Sequence, residues 1–343
     1  MIKLAIIGTG KMAGTHARNF QNIRGCEIVA CCDVDLVKAR AFAREFNVSN
    51  VYYDLDDLIE KEEIDAAVNI TPDFLHYPLS VKILKKGIHL LCEKPLATNY
   101  KEAKRLASLA RENQVINMVN LIHRNSPALQ KMISLIQSEK IGHILQVETS
   151  HLQSWVNSEY WGDWKEEDNL LWRLAAEYSS QGIIGQEAVQ LIDCLTFMIG
   201  PLKNISALSR SFSKGVRGNK LKGVSLDTRD SAIFMLEFKN EAIGSMNISR
   251  VATGEHDTLR IAIYGDEGGL KLLVRHNSEP KLLICRGEDR HDAIWKEVKL
   301  PEVKTTWQHF IACIRSGDAA DPDFAHAAAL QKIVEDATAS EEE

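Results

Sequence analysis

Ile6-Ile7-Gly8-Thr9-Gly10-Lys11-Met12-Ala13-Gly14 completes the apolar run that opens at Lys3-Leu4-Ala5, and its reading decides the fold. A strand runs into a glycine turn, a helical segment follows, and a second apolar run, Glu27-Ile28-Val29-Ala30-Cys31-Cys32, ends at Asp33. Gly8 permits a tight turn, Gly10 lets a pyrophosphate approach the backbone, and Ala13 is small enough for the helix to pack on the sheet. The helix beginning near Lys11 directs free N–H groups and its positive dipole end at that phosphate, with Thr9, Lys11 and Met12 on the turn beside it. Asp33 stands 23 residues after Gly10. A carboxylate there accepts hydrogen bonds from the adenosine ribose hydroxyls and repels a 2′-phosphate, so NAD is expected rather than NADP. The plain alternative is an ordinary βαβ unit with a glycine-rich turn.

At 343 residues the chain is long enough for two domains, each with its own core. Lys and Arg total 41 against 47 Asp and Glu, a net charge of −6 with no basic cluster, which argues against a nucleic-acid partner. No apolar run reaches the ~18 residues of a membrane span, and the first strand starts at once, so neither a membrane partner nor a signal peptide is expected. The seven cysteines lack metal-ligand spacing; Cys31, Cys32 and Cys92 lie in apolar strand-like runs where reduced Cys acts as a small hydrophobe. The expectation is a soluble, cytoplasmic protein with no metal site.

The first third alternates strands (2–7, 27–32, 65–70, 88–92, 115–119) with helices (11–23, 35–46, 54–60, 76–86, 99–112), the pattern of a parallel, doubly wound sheet. Thr71-Pro72 and Glu93-Lys94-Pro95 each follow a strand and so belong on the ligand-binding rim. From about residue 141 the rhythm changes to strands at 144–151, 203–212, 231–238, 242–250, 258–264 and 269–274, joined by short turns carrying Gly or Asn. Helices are expected at 186–198, 304–315 and 324–338. The fold class is therefore α/β: an N-terminal Rossmann domain over 1–123, then an α+β domain over 124–343 with a large open, mostly antiparallel sheet. Ile233 and Met235 alternate with Phe234 and Leu236, giving two apolar faces and suggesting a homodimer or homotetramer through the open sheet.

Taken together, the Gly8–His16 fingerprint, Asn69-Ile-Thr-Pro72 with His76, Glu93-Lys94-Pro95, Arg124 with Pro127, Trp172-Arg173, Asp193 before Gly200-Pro201, and Ile263-Tyr-Gly-Asp-Glu-Gly-Gly269 resemble the glucose–fructose oxidoreductase/inositol dehydrogenase/rhizopine-catabolism (Gfo/Idh/MocA) family. The resemblance covers nearly the whole chain. It implies a nicotinamide-dependent protein acting on a sugar, polyol or derivative, with Glu93 and Lys94 at the cofactor and Lys94 also beside the substrate hydroxyl. The chemistry agrees: oxidising a secondary alcohol develops an alkoxide that an ammonium stabilises. His76 is expected to orient the cofactor loop with Thr71 and Pro72.

The family places an Asp and a His four residues apart on the helix facing the nicotinamide; the matching positions here are Gln186 and Gln190. An amide holds a hydroxyl but does not take its proton. Gln186 and Gln190 are thus expected at the catalytic centre as binders, with Lys94 acting alone or with Tyr178, Tyr160 or His151 as the second proton-transfer group. Glu187 lies about 100° round an α-helix from Gln186, a doubtful replacement, and Asp193 reads as a buried acceptor. The approach Ser179-Ser180-Gln181-Gly182 also departs from the family's glycines. Trp155, Trp161, Trp164 and Trp172 fall within 18 residues, suited equally to sugar faces and to a structural loop. Arg124 and Arg173 suit a substrate carboxylate or phosphate, or ion pairing. Trp155, Trp172, Arg173, Arg124, Tyr178 and Gln190 are therefore the expected substrate contacts. The main reading is hydride transfer at a secondary hydroxyl; the alternatives are an NAD-using glycosidase or lyase that releases no NADH, and a non-catalytic NAD-binding protein.

Overall fold

A computed structural model describes residues 1–179 and 181–339; Ser180 and residues 340–343, with the acidic tail, lie outside the described residues. The chain forms two compact units, Met1–Ile122 with Lys304–Lys332, and His123–Val303 with the described residues from Ile333 on.

In the first unit β1 (Ile2–Ile7), α1 (Ala13–Gln21), β2 (Cys26–Cys32), α2 (Leu36–Phe46), β3 (Asn50–Tyr52), α3 (Leu55–Lys61), β4 (Ala66–Asn69), α4 (Asp73–Lys85), β5 (His89–Cys92), α5 (Tyr100–Glu112) and β6 (Asn117–Val119) alternate along the chain. The strands pair in the order β3-β2-β1-β4-β5-β6, all parallel, as a doubly wound dinucleotide fold requires. Leu4, Ala5 and Ile6 in β1 and Ala66, Ala67 and Val68 in β4 are fully buried, as strands covered on both faces must be. Asp35, Asp54 and Asn99 cap α2, α3 and α5 by accepting from backbone N–H groups, which sets where those helices begin.

The second unit contains α6 (Pro127–Gln137), β7 (Ile144–Leu152), the short α7 (Asp168–Leu171), a π turn at Ile184–Ala188 leading into α8 (Val189–Ile199), β8 (Leu202–Arg210), a small hairpin of β9 (Lys220–Leu221) and β10 (Val224–Ser225), then β11 (Ser231–Phe238), β12 (Ile243–Ser249), β13 (Thr258–Gly265), β14 (Gly268–Val274), β15 (Lys281–Arg286) and β16 (Lys296–Glu297). Eight strands form one sheet in the order β16-β15-β14-β13-β7-β12-β11-β8. Its pairs are antiparallel except β7 with β12, which are far apart in the chain and so free of the hairpin constraint. The pattern expected for β11 holds: Phe234 and Leu236 are buried, while Ile233 and Met235 are 52% and 69% exposed.

The chain closes with α9 (Thr306–Ser316) and α10 (Phe324–Ala339). A capping box between Thr305 and Gln308 starts α9. The segment from Lys304 to Lys332, expected within the second domain, belongs instead to the first unit. The reason is apolar: Phe310, Ile311, Cys313 and Ala320 complete the core that also contains Leu4, Ile6, Phe20 and Phe46.

Candidate active site

Three loops follow the carboxyl ends of the neighbouring strands β1, β4 and β5. After β1, Gly8 adopts φ +91°, and a Cβ there would meet the Ile70 carbonyl at 3.0 Å and Thr71 Cγ2 at 3.1 Å. Gly8 is therefore fixed by conformation and by space. A Cβ on Gly10 would meet nothing within 4 Å, so the backbone there is open to a phosphate. Ala13 is buried, and no side chain caps the start of α1, where Ala13 N and Thr15 N donate to the Gly10 and Met12 carbonyls and the helix directs its positive dipole end at the turn. Lys11 and Met12 stand exposed on the turn. Asp33 does more than the sequence suggested. Its Oδ2 accepts from Thr9 N at 2.7 Å and Thr9 Oγ1 at 2.9 Å, and its Oδ1 accepts from Asp35 N at 2.9 Å. The carboxylate thus ties the glycine turn to β2, and its remaining lone pairs suit ribose hydroxyls. These features fit a dinucleotide. Asp33→Ala is expected to weaken NAD binding more than NADP binding in calorimetric titration; equal losses would restrict Asp33 to holding the turn.

After β4, Asn69 Oδ1 accepts from Thr71 Oγ1 at 2.7 Å, and Asn69 Nδ2 donates to Ser80 Oγ. His76, buried in α4, has Nδ1 2.7 Å from the Pro95 carbonyl and Nε2 2.7 Å from the Thr71 carbonyl. Two carbonyls require two N–H donors, so the ring is an imidazolium that clamps the Thr71 loop to the Pro95 loop. Burial opposes this charge, but the Cys92 sulfur, the Asp73 carboxylate and the Pro95 carbonyl outweigh it and raise the pKa to about 10.

After β5 comes Glu93-Lys94-Pro95, with a cis Lys94–Pro95 peptide. Glu93, expected beside the cofactor, directs its carboxylate to the protein's own donors. Oε1 accepts from His16 Nε2 at 2.8 Å and Asn120 Nδ2 at 2.5 Å, and Oε2 accepts from Lys94 N at 3.2 Å. Trp307 Nε1 donates to His16 Nδ1 at 2.9 Å. Indole is donor-only, so His16 Nδ1 accepts and Nε2 carries the proton given to Glu93. Burial disfavours the Glu93 anion, yet the hydrogen bonds from His16 and Asn120 and the Lys94 charge lower its pKa. Lys94 therefore stands half-buried on a loop held through Glu93 on one side and Pro95 on the other.

In the second unit Gln186 sits in the π turn and Gln190 in α8; both are buried. Gln190 Oε1 has no hydrogen-bond partner among the described residues. Arg124, expected to grip a substrate anion, instead forms a buried bidentate pair with Asp193, Nη2 to Oδ1 at 2.6 Å and Nε to Oδ2 at 3.1 Å. Its guanidinium also lies over the Phe197 ring at 4.2 Å. Asp193 is thus the buried acceptor the sequence implied. Trp155 is another correction. It is fully buried with Trp164, Leu170, Leu171, Leu174 and Leu226, stacked on Trp161 at 5.7 Å, and presents no open face to a sugar. Trp172, Arg173 and Tyr178 remain half-buried, with the Arg173 guanidinium 4.6 Å from the Trp172 ring centroid.

One constellation escaped the sequence. His151 on β7 has Nδ1 2.8 Å from Glu187 Oε2 and Nε2 2.8 Å from Asp257 Oδ1, and Gln153 Nε2 also donates to Asp257 Oδ1 at 2.8 Å. Both ring nitrogens face carboxylates, so His151 is an imidazolium. Burial lowers its pKa, but Glu187 and Asp257 overcome this and lift it to about 9. His151 and Asp257 are 106 residues apart, and no local pattern links them. Tyr160 stacks on His256 at 4.5 Å, and burial with the Asp257 and Glu187 charges raises its pKa.

Residues 2–121 match the model of the oxidoreductase family with an NAD-binding Rossmann fold, and residues 129–271 match the GFO/IDH/MocA C-terminal domain. The chain belongs to the GFO/IDH/MocA oxidoreductase family. Among its relatives, levoglucosan dehydrogenase of Pseudarthrobacter phenanthrenivorans is 26% identical over 265 residues, covering 73% of this chain and 65% of that enzyme's length. The scyllo-inositol 2-dehydrogenase (NAD(+)) of Bacillus subtilis is 24% identical over 92% of this chain and 87% of its own. In fold, the chain superposes on levoglucosan dehydrogenase solved with NADH and levoglucosan at a TM-score of 0.86, with 21% identity, over 99% of this chain and 98% of that one. No helix among the described residues is long and apolar enough to cross a membrane.

Proposed function

We propose that this family member is an NAD-dependent oxidoreductase that moves hydride between the nicotinamide and a secondary hydroxyl of a sugar, polyol or related derivative. The observation that carries the reading is the set of three interlocked loops on one rim: the open glycine turn, the Thr71–Pro72 loop and the clamped Glu93-Lys94-Pro95. Gly8, Thr9, Gly10, Lys11, Met12, Asp33, Thr71, Pro72 and His76 hold or frame the dinucleotide, which supplies the hydride acceptor when bound. Lys94 places an ammonium at the reacting oxygen and stabilises the alkoxide as it forms. Gln186 and Gln190 hold hydroxyls as donors and acceptors, and Trp172, Arg173 and Tyr178 supply further polar and aromatic contacts. The names of the relatives, levoglucosan and inositol dehydrogenases, support a carbohydrate-like substrate.

Screening anhydrosugars, inositols and aldoses with NAD+ tests this by the absorbance of NADH. Net NADH with at least one compound supports the reading. Product without net NADH would assign transient oxidation in glycoside or lyase chemistry, and tight NAD binding with no product would assign a non-catalytic role.

The open sheet supports self-association. Leu208, Ile233, Met235 and Ile243 are 54%, 52%, 69% and 58% exposed on the neighbouring strands β8, β11 and β12. An apolar face of this kind suits a homodimer or homotetramer. Replacing Ile233 and Met235 together by Lys should reduce the mass seen by light scattering to that of one chain; an unchanged assembly would place the interface elsewhere.

A further inference from the structure

One chain of hydrogen bonds ties the Glu93-Lys94-Pro95 loop to the far end of the sequence. Trp307, in the first turn of α9, donates its indole N–H to His16 Nδ1 at 2.9 Å, across 291 residues. His16, in α1, donates from Nε2 to Glu93 Oε1 at 2.8 Å, and Glu93 Oε2 accepts from Lys94 N at 3.2 Å. All four residues belong to the first unit. The geometry points to Trp307 and His16 as positioning residues for Lys94: the indole selects the His16 tautomer, and that tautomer holds the loop that presents the ammonium. The assignment rests on the oxidoreductase reading above, in which Lys94 faces the reacting oxygen.

An imidazole has three protonation states, and the neighbours of His16 admit one of them. With its proton on Nδ1, the ring would turn the Nε2 lone pair toward the Glu93 carboxylate, and the loop would lose this anchor. With protons on both nitrogens, the indole N–H would meet no lone pair. The His16 side chain is 0% exposed, so water does not stand in for either partner. Only the neutral ring with its proton on Nε2 satisfies both contacts. Such a ring donates to Glu93 without cancelling its charge, so the carboxylate remains a counter-charge to the Lys94 ammonium beside it.

The indole comes from a fixed base. Phe310 and Ile311 of α9 are fully buried in the first unit's core, and the segment that follows is pinned to β6, where Val119 N donates to the Pro322 carbonyl at 3.0 Å. The Trp307 ring meets that of His16 edge-on, the centroids 5.5 Å apart and the planes at 85°. The closing helix therefore acts on the chemistry through one N–H, and Lys94 responds because its own backbone N–H is the last link.

Trp307→Phe keeps an aromatic ring in the core and removes that N–H. Nitrogen NMR of the unmodified protein at neutral pH should show His16 neutral, with the proton on Nε2 and Nδ1 as a hydrogen-bonded acceptor. In Trp307→Phe the Nδ1 signal should move to that of an unbonded or a protonated nitrogen. kcat should fall by about tenfold to a hundredfold, since a small misplacement of a catalytic group costs up to that much, while NAD+ affinity by calorimetry stays unchanged. A second pair separates hydrogen bonding from packing. His16→Leu fills the space without a donor and should lower kcat at least as far as Trp307→Phe. His16→Gln offers an amide N–H to Glu93 and an amide oxygen to the indole, and should recover most of that loss. A proton on His16 Nδ1 in the unmodified protein, an unaltered kcat in Trp307→Phe, or equal rates in His16→Leu and His16→Gln would each overturn the assignment while leaving the oxidoreductase reading intact. Absence of hydride transfer by the unmodified chain across the whole panel would overturn that reading, and the assignment with it.

Discussion

Replacing Lys94 by Ala is expected to lower kcat about a thousandfold while NAD+ binds as before. The rate loss follows from charge: one preorganised group facing a developing oxyanion is worth roughly 10²–10³ in kcat, and a full cation lies at the upper end of that range. The unchanged binding follows from the loop's own architecture. Its anchors are the Glu93 carboxylate, held by His16 and Asn120, and the Pro95 carbonyl, held by His76. The substitution touches neither anchor, so it removes an ammonium without releasing the loop. Steady-state rates beside calorimetric NAD+ affinities separate the two effects. Retained turnover would remove Lys94 from the chemistry, and a parallel fall in affinity would give it a role in cofactor binding instead.

Asp230→Ala is expected to produce the largest loss of stability. One fully buried carboxylate there serves two buried cations. Oδ1 accepts from Arg250 Nε at 2.9 Å, and Oδ2 accepts from Lys214 Nζ at 2.5 Å and from the Phe212 backbone N at 2.7 Å. Arg250 in turn donates to the Arg173 carbonyl at 2.7 Å and to Thr228, and its guanidinium lies 5.5 Å from the Trp155 ring centroid. Truncating Asp230 leaves two desolvated cations without their counter-charge, a change that costs about 3–5 kcal/mol. For a unit of this size the thermal midpoint should fall by on the order of 10 °C. Asp230→Asn, which keeps one acceptor oxygen but not the charge, should fall between the two. A midpoint within a degree or so of the unmodified protein would show that the cations are solvated from elsewhere.

The first unit was legible because its determinants are local. Alternating apolar runs, Gly8, Gly10 and Ala13 state a strand, a turn and a helix within a dozen residues, and Asp35, Asp54 and Asn99 mark helix starts by short-range hydrogen bonds. The second unit yielded less. β15, Lys281–Arg286, is a short apolar run without alternation, and α6 announces itself chiefly through Ser126 and Pro127. The ownership of residues 304–332 was not legible, because an amphipathic helix does not state which core it completes. The candidate site divides in the same way. Lys94 and the glycine turn follow from motif and position, whereas Arg124 with Asp193 joins residues 69 apart, and the His151 set depends on a π turn that residue pattern does not announce. Trp155 shows the same limit: an aromatic residue that suits a sugar equally suits a core, and only burial decides between them.

The most direct test of the account is to follow the hydride itself. The purified chain is incubated with NAD+ and with sugars and polyols deuterated at their carbinol carbons, and the dinucleotide is then examined by mass spectrometry. The account predicts deuterium in the recovered NADH with at least one compound, and its loss in Lys94→Ala. A dinucleotide that binds tightly yet gains no deuterium from any of them would contradict it.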